Sequence, residues 1–135
     1  MRTYIGLFTL LSAALFSLPA NAEVELVKAV VSHHTYDGKP TDDLESTSFQ
    51  NDRMVIHPKW ASLEPKKIYS VKYVIEDRLG KIVLRRETVF KTTENTKHST
   101  WVRYRFKEKD FPGDWTIRAS LDDTEYLNKI LYVSE

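Results

Sequence analysis

Apolar and polar residues alternate along much of the chain with a period of two, which predicts β-strands. The clearest segment runs from Ile68 to Glu76, where one face carries Tyr69, Val71, Tyr73 and Ile75. Because side chains of a strand point alternately to its two faces, this pattern indicates a sheet with one face buried. No stretch of the sequence shows the period of a long amphipathic helix.

A tight hairpin is predicted after this strand. Asp77 to Gly80 contains residues that favour a tight turn, and Lys81 to Phe90 is predicted to return as the partner strand. Further along, Thr100 to Phe106 and Asp114 to Leu121 alternate again. Their predicted inward residues are Val102, Tyr104 and Phe106 in the first segment, and Trp115, Ile117, Ala119 and Leu121 in the second.

Shorter apolar runs complete the pattern. Val24 to Val31 is predicted as the first strand, and Leu127 to Val133 as the last. Met54 to His57 is a short apolar run that Pro58 is expected to end, which leaves Trp60 in a connection. The polar stretch from His33 to Gln50 is the most loop-like, with turn signals at Asp37-Gly38 and Lys39-Pro40.

About seven strands at roughly ten-residue spacing favour an all-β fold, a sandwich of antiparallel sheets. A sheet with one apolar face must bury that face against a second layer. Most of the predicted inward positions are aromatic or branched aliphatic residues, which suit a packed sheet surface.

One segment strengthens this assignment. Asp110-Phe111-Pro112-Gly113-Asp114-Trp115 resembles the turn and strand entry near the end of immunoglobulin-like and fibronectin type III-like domains, which often read Asp-x-x-Gly-x-Tyr. Trp115 occupies the position where that family more often has Tyr. The resemblance implies a single immunoglobulin-like β-sandwich and leaves the function open, because this architecture hosts unrelated roles.

The N-terminal segment 1–22 has the features of a signal peptide. Arg2 is followed by a largely apolar run from Ile5 to Leu18, and Ala20-Asn21-Ala22 gives a small-x-small cleavage pattern. The sequence therefore predicts a signal peptide at 1–22 and one β-sandwich domain at 23–135. An uncleaved anchor is the alternative, but the apolar run is shorter than the ~20 residues of a spanning helix.

The segment also predicts a location outside the cytoplasm, in a bacterial periplasm or, alternatively, the extracellular space. The sequence contains no cysteine, so neither a lipid attached through cysteine at the cleavage site nor a disulfide is expected. The domain is expected to have no stable membrane anchor after cleavage.

The formal net charge is only +1, which implies no strong overall attraction to nucleic acid. The charges are unevenly distributed along the chain. Glu23 to His57 holds three basic and seven acidic residues, whereas Pro58 to Arg118 holds fifteen basic and eight acidic ones. This distribution indicates either a basic face for an acidic partner or neighbouring strands that neutralise one another.

Motifs of catalysis are sparse. The chain has no thiol nucleophile, no Gly-x-Ser-x-Gly elbow and no Gly-rich phosphate loop. The adjacent carboxylates Asp42-Asp43 and Asp122-Asp123 lie in turn-like sequence, which is typical of solvated loops. We therefore expect a non-enzymatic protein that needs no cofactor.

Two candidate sites remain. The first is the outward face of Trp101, Arg103 and Arg105, with Arg118 on a neighbouring strand; arginines beside an exposed indole can bind an anionic or carbohydrate-like ligand or a protein.

The alternative is a copper or zinc site that uses the loop histidines His33 and His34 with Asp37, helped by a distant histidine such as His57 or His98. The spacing of these residues matches no known metal motif, so we expect surface histidines and no bound metal.

The sequence thus favours a secreted or periplasmic, non-catalytic binding module of unknown ligand. Expected partners are an envelope protein or an anionic or glycan ligand, and no nucleic acid. A periplasmic metal-binding protein is the alternative.

Overall fold

A computed structural model describes residues 23–135 of the chain. The predicted signal peptide, 1–22, lies outside the described residues. The strands are β1 (Glu25–Ser32), β2 (Thr35–Tyr36), β3 (Lys39–Pro40), β4 (Ser46–Ser48), β5 (Arg53–Ala61), β6 (Ile68–Glu76), β7 (Ile82–Lys91), β8 (His98–Ser99), β9 (Val102–Arg105), β10 (Gly113–Leu121) and β11 (Thr124–Ser134), with a short 3-10 helix at Phe49–Asn51.

The strands form two main sheets. In the first sheet, β5 lies in the centre, with β1 on one side and β8 and β9 end to end on the other. The second sheet has the order β4-β11-β10-β6-β7, in which β4 runs parallel to β11 and the other neighbours are antiparallel. The strands β2 and β3 form a separate small hairpin. The all-β prediction is confirmed.

The core lies between the two sheets. Val31, Met54 and Ile56 of the first sheet pack in one cluster with the inward residues of β6 and β10. The predicted inward faces of Ile68 to Glu76 and Asp114 to Leu121 are confirmed, because every residue assigned to them is buried.

Polar groups also connect the two layers. The indole N–H of Trp60, on β5, donates a hydrogen bond of 3.0 Å to the Thr100 hydroxyl oxygen. The Tyr73 hydroxyl, on β6, donates to the same oxygen at 2.6 Å. All three side chains are buried, so Thr100 satisfies two buried donors that come from opposite sheets.

The predicted hairpin between β6 and β7 is present. One oxygen of the buried Asp77 carboxylate accepts the backbone N–H groups of Leu79 at 2.8 Å and Lys81 at 3.0 Å. Gly80 has φ +79°, the left-handed conformation that glycine adopts most readily. The turn thus follows directly from the sequence Asp-Arg-Leu-Gly.

The expectation that Pro58 ends a strand is wrong. Strand β5 continues through Pro58 to Ala61, and Trp60 is fully buried in the core rather than placed in a connection. The Pro58 carbonyl accepts the Thr100 N–H at 3.1 Å, on the side where a residue other than proline would also present its N–H. The lost donor coincides with the interruption between β8 and β9, so the sheet tolerates proline at this break.

Trp115, near the start of β10, fixes the turn that precedes this strand. The Trp115 side chain is fully buried, and its N–H donates to the Phe111 carbonyl at 2.8 Å. Its ring makes edge contacts with Phe49, Tyr104 and Phe106 at centroid distances of 6.2, 5.8 and 5.7 Å. Trp115 therefore anchors this turn through a bond to backbone four residues upstream.

Candidate functional site

The outer face of the first sheet, which points away from the core, carries most of the predicted binding residues. The register pairs Lys28 with Lys59, Val30 with His57, Val55 with Arg103, and Arg53 with Arg105. We define the outer face by the residues of these rows, namely Lys28, Val30, Arg53, Val55, His57, Lys59, Ser99, Trp101, Arg103 and Arg105.

The Trp–Arg cleft occupies one half of this face. It has a volume of about 240 Å³ and is lined by His33, His34, Thr35, Arg53, Val55, Trp101 and Arg103. Trp101 is 55% exposed, in the interruption between β8 and β9. The structure thus places Trp101 and Arg103 in one cleft, together with two histidines and Arg53.

The lysine cleft occupies the other half of the outer face. It has a volume of about 510 Å³ and lies between the sheet and the β2–β3 hairpin. Its sheet side includes Lys28, His57 and Lys59, and its hairpin side includes Asp37 and Lys39.

The position of the hairpin follows from local sequence. Asp37 and Gly38 both have positive φ, of 52° and 73°, as a two-residue hairpin turn requires. Asp42 fixes the hairpin to the end of β1, because its carboxylate accepts the backbone N–H of His33 at 2.9 Å. The predicted turn at Asp37-Gly38 therefore shapes the wall of the lysine cleft.

The cations of the outer face and of the β2–β3 hairpin lack close counter-charges. Within residues 23–135, no carboxylate lies within ion-pair distance of the six cationic side chains concerned, which are Lys28, Lys39, Arg53, Lys59, Arg103 and Arg105. The Arg53 Nε atom is buried without a hydrogen-bond partner. This face consequently offers positive charge without a local counter-charge to a ligand.

His57 contributes a second unpartnered polar atom. Its side chain is only 8% exposed, and its Nε2 atom has no hydrogen-bond partner. Burial lowers the pKa of His57, so the ring is neutral near pH 7. It therefore presents an uncharged imidazole between flanking lysines.

The residues of the alternative metal site are not brought together. The Nδ1 atom of His33 lies 2.9 Å from a carboxylate oxygen of Asp42, and its Nε2 atom lies 3.2 Å from the Thr47 hydroxyl oxygen. His34 lines the Trp–Arg cleft with His33, whereas Asp37 lines the lysine cleft. Over the described part of the chain, no group of three or more His, Asp or Glu side chains could hold a metal ion.

Titratable groups with shifted pKa values are dispersed in the sandwich. Burial lowers the pKa of His98, whose ring stacks on Phe90 at a centroid distance of 4.1 Å. Burial raises the pKa of Tyr73 to about 12. Burial and a hydrogen bond to Asp110 raise the pKa of Tyr104. These shifts follow from core packing, and the three groups belong to different strands.

The expectation that Arg118 lies on a strand next to Trp101 is not met. Arg118 belongs to β10, whose neighbours are β6 and β11 in the second sheet. Its guanidinium lies 3.1 Å from Glu76 and 3.8 Å from Glu125. Arg118 therefore pairs with carboxylates on the opposite sheet and is separate from the outer face of the first sheet.

Arg53, His57 and Lys59 form one surface that the predicted strand, ending at Pro58, does not reveal. The signal was a period of two from Arg53 to Lys59, with Met54, Ile56 and Trp60 on the inward side. A strand that ends at Pro58 hides this alternation, whereas β5 continues to Ala61.

No protein-family model matches the chain, and no curated protein sequence is similar to it. Solved structures do resemble it. An immunoglobulin-like protein from Pseudomonas aeruginosa has a TM-score of 0.53 at 14% identity, with 84% of this chain and 98% of that chain covered. The C-terminal domain of wzt has a TM-score of 0.58 at 10% identity and covers 84% and 75% of the two chains.

The alkylpurine DNA glycosylase AlkC of Pseudomonas fluorescens, bound to DNA containing an abasic site analog, has a TM-score of 0.60 at 13% identity. The match covers 84% of this chain and 31% of the glycosylase, so the chain spans about a third of that enzyme. At these identities the likeness concerns the fold alone. It confirms an immunoglobulin-like β-sandwich.

Proposed function

We propose that this immunoglobulin-like domain is a non-catalytic binding module that acts outside the cytoplasm, in the periplasm or in secreted form. Its binding surface is the outer face of the first sheet, and its ligand is anionic. The observation that carries this proposal is the half-exposed Trp101 beside Arg53 and Arg103, neither of which has an ion-pair partner among residues 23–135.

Charge and shape both support an anionic ligand. Guanidinium groups bind carboxylates and phosphates through paired hydrogen bonds, and an adjacent indole adds a flat surface for stacking. Aromatic residues and arginine are also the residue types that contribute most energy to binding interfaces. Arg53 and Arg103 lie on strands and Trp101 in the short segment between two strands, so the backbone of the cleft loses little conformational entropy when a ligand binds.

The location rests on the N-terminal sequence. Within the described residues, the structure has no helix with the length and apolarity needed to cross a bilayer. The similarity to a DNA glycosylase bound to DNA concerns about a third of that enzyme, and the net charge of this chain is only +1. We therefore propose a ligand of the cell envelope rather than nucleic acid.

Crosslinking in intact envelopes tests the proposal. The double variant Trp101→Ala/Arg103→Ala removes the indole and one guanidinium from the cleft. The matched control, Ile130→Ala/Arg85→Ala, removes an exposed apolar side chain and an exposed cation from the second sheet. We expect the first variant to lose most of the crosslinked ligand and the control to retain it.

Equal capture by both variants would place binding elsewhere and overturn the proposed surface. Chemical turnover of the captured ligand by purified protein would overturn its non-catalytic character. Cell fractionation of the full-length chain tests the location independently, because a cytoplasmic protein of unchanged mass would contradict export and cleavage.

A further inference from the structure

We propose that the two clefts of the outer face bind one extended ligand, an anionic polysaccharide. The inference rests on the proposed function and names its ligand class. It starts from the observation that the lysine cleft and the Trp–Arg cleft lie on consecutive rows of the same sheet.

The length of the surface indicates a polymer rather than a small anion. Lys59 and Arg53 lie six residues apart on β5 and point to the same side. At about 3.3 Å per residue, their positions are ~20 Å apart. Lys28 extends the row of Lys59 onto β1, and Arg105 extends the row of Arg53 onto β9. A single carboxylate or phosphate can contact only one end of this surface.

The charge pattern is complementary to a chain of regularly spaced anions. Five lysine and arginine side chains line the two clefts, and Asp37 is the acidic side chain among the lining residues. The His57 side chain lies between the lysines and arginines at the two ends of this surface and is about nine-tenths buried. Its Nε2 atom has no hydrogen-bond partner. A neutral imidazole at this place suits the hydroxyl of a sugar better than a second anion.

The shape of the site disfavours a flat lipid surface. The β2–β3 hairpin forms one wall of the lysine cleft and the buried His57 is part of its lining, so a planar bilayer would meet the hairpin and could not reach the whole cleft. A flexible polymer can enter such a cleft from its end.

The aromatic content favours sugars over single-stranded nucleic acid. Proteins that bind single strands usually stack successive bases on several aromatic side chains. The outer face carries one indole, Trp101, among its aliphatic, imidazole and cationic side chains. One indole between cations can stack on one sugar ring while the flanking acidic groups pair with lysine and arginine.

The test uses the purified chain 23–135 and an oligosaccharide of six galacturonate units, with the single galacturonate unit and a thymidine oligonucleotide as comparison probes. Calorimetry measures the dissociation constants. The variant Lys28→Gln/Lys59→Gln removes charge from the lysine cleft, and Arg53→Gln/Arg103→Gln from the Trp–Arg cleft. The control Arg85→Gln/Lys91→Gln removes two exposed cations from the second sheet.

We expect the hexamer to bind at least about tenfold more tightly than the monomer, because only the hexamer reaches both clefts. Each cleft variant should weaken hexamer binding by about tenfold or more, which is the loss of one charge-assisted contact. The control should bind like the unchanged chain. Circular dichroism shows whether each variant is folded. If one cleft variant does not fold, the other still tests the proposal.

Contrary outcomes separate this inference from the proposed function. If Lys28→Gln/Lys59→Gln had no effect, or if the monomer bound as tightly as the hexamer, the extended ligand would be excluded while the Trp–Arg cleft remained a binding site. Tighter binding of the oligonucleotide than of the hexamer would replace the polysaccharide by nucleic acid. No binding of any probe, together with unchanged envelope crosslinking of Trp101→Ala/Arg103→Ala, would exclude both.

Discussion

At the scale of single residues, the interior of the sandwich depends on a few polar side chains with several partners. Thr100 accepts hydrogen bonds from Trp60 and Tyr73, which belong to different sheets. Thr100 also precedes Trp101, so the buried hydroxyl and the exposed indole of the outer face are neighbours in sequence. The same short segment therefore joins the layers and positions the candidate site.

We predict that Thr100→Val lowers the free energy of unfolding by about 2–4 kcal/mol, because it leaves two buried donors without an acceptor. Urea unfolding followed by circular dichroism measures this loss. Thr100→Ser is the control, since it keeps the hydroxyl and removes one methyl group. A valine variant as stable as the serine variant would show that the two hydrogen bonds contribute nothing.

Two histidines, the buried His57 and the half-buried His98, give stability a pH dependence. Burial lowers the pKa of His57 and His98 in the folded state from the ordinary value of 6.5. Below pH 6.5 the unfolded chain then binds more protons than the folded one, so stability falls as the pH falls. The contribution of the two neutral rings is complete above pH 6.5 and is lost towards their lower folded pKa values.

The expected result is a melting temperature that decreases between pH 7.5 and pH 5.5. The variant His57→Leu/His98→Phe should show a smaller decrease, since leucine and phenylalanine do not titrate and phenylalanine preserves the stack on Phe90. Thermal melts across this pH range make the comparison. Identical slopes for both proteins would contradict the predicted role of the two rings.

At the scale of elements, turns were easier to predict than strand ends. The hairpin between β6 and β7 was predicted because Asp77 and Gly80 satisfy local backbone requirements. Pro58 predicts the end of a strand because proline lacks an N–H donor, yet β5 continues, since the neighbouring strand is interrupted where that donor is missing. Local chemistry predicts a turn, whereas a strand end also depends on its partner.

The start of β10 offers a prediction at this scale. Gly113 has φ +132°, and a Cβ atom there would lie 2.5 Å from the Cδ atom of Arg78. We predict that Gly113→Ala costs about 1–3 kcal/mol, from backbone strain and this contact. Chemical denaturation of the single variant measures the sum of both causes.

The double variant Gly113→Ala/Arg78→Ala separates the two causes. It should recover the part due to the contact and keep the part due to φ, when it is compared with Arg78→Ala alone. No loss of stability in Gly113→Ala would show that the backbone relaxes freely at this position.

At the scale of the whole molecule, the fold places the three tryptophans in two different environments. Trp60 and Trp115 are fully buried, and Trp101 is 55% exposed on the outer face. The fold also brings together cations that are distant in sequence, because Lys28 and Lys59 line one cleft of the outer face and Arg53 and Arg103 line the other. Packing therefore creates a local basic surface on a chain whose net charge is only +1.

Tryptophan fluorescence checks this arrangement. We predict that Trp101→Phe shifts the emission maximum to shorter wavelength and removes most of the quenching by acrylamide, because the remaining indoles are shielded from solvent. Tyr36→Phe, which alters another exposed aromatic side chain, should change neither property. Strong residual quenching in Trp101→Phe would show that Trp60 or Trp115 is accessible.

The sequence alone determined the strand pattern, the all-β class, the β6–β7 hairpin and the inward faces of β6 and β10, because alternation and turn chemistry act between near neighbours. It also singled out Trp101, Arg103 and Arg105. Only the tertiary structure brought Arg53, His57 and Lys59 beside them and placed Arg118 on the opposite sheet. Such a surface is decided by strand order and register, since pairing between residues distant in sequence depends on the packing of the entire core.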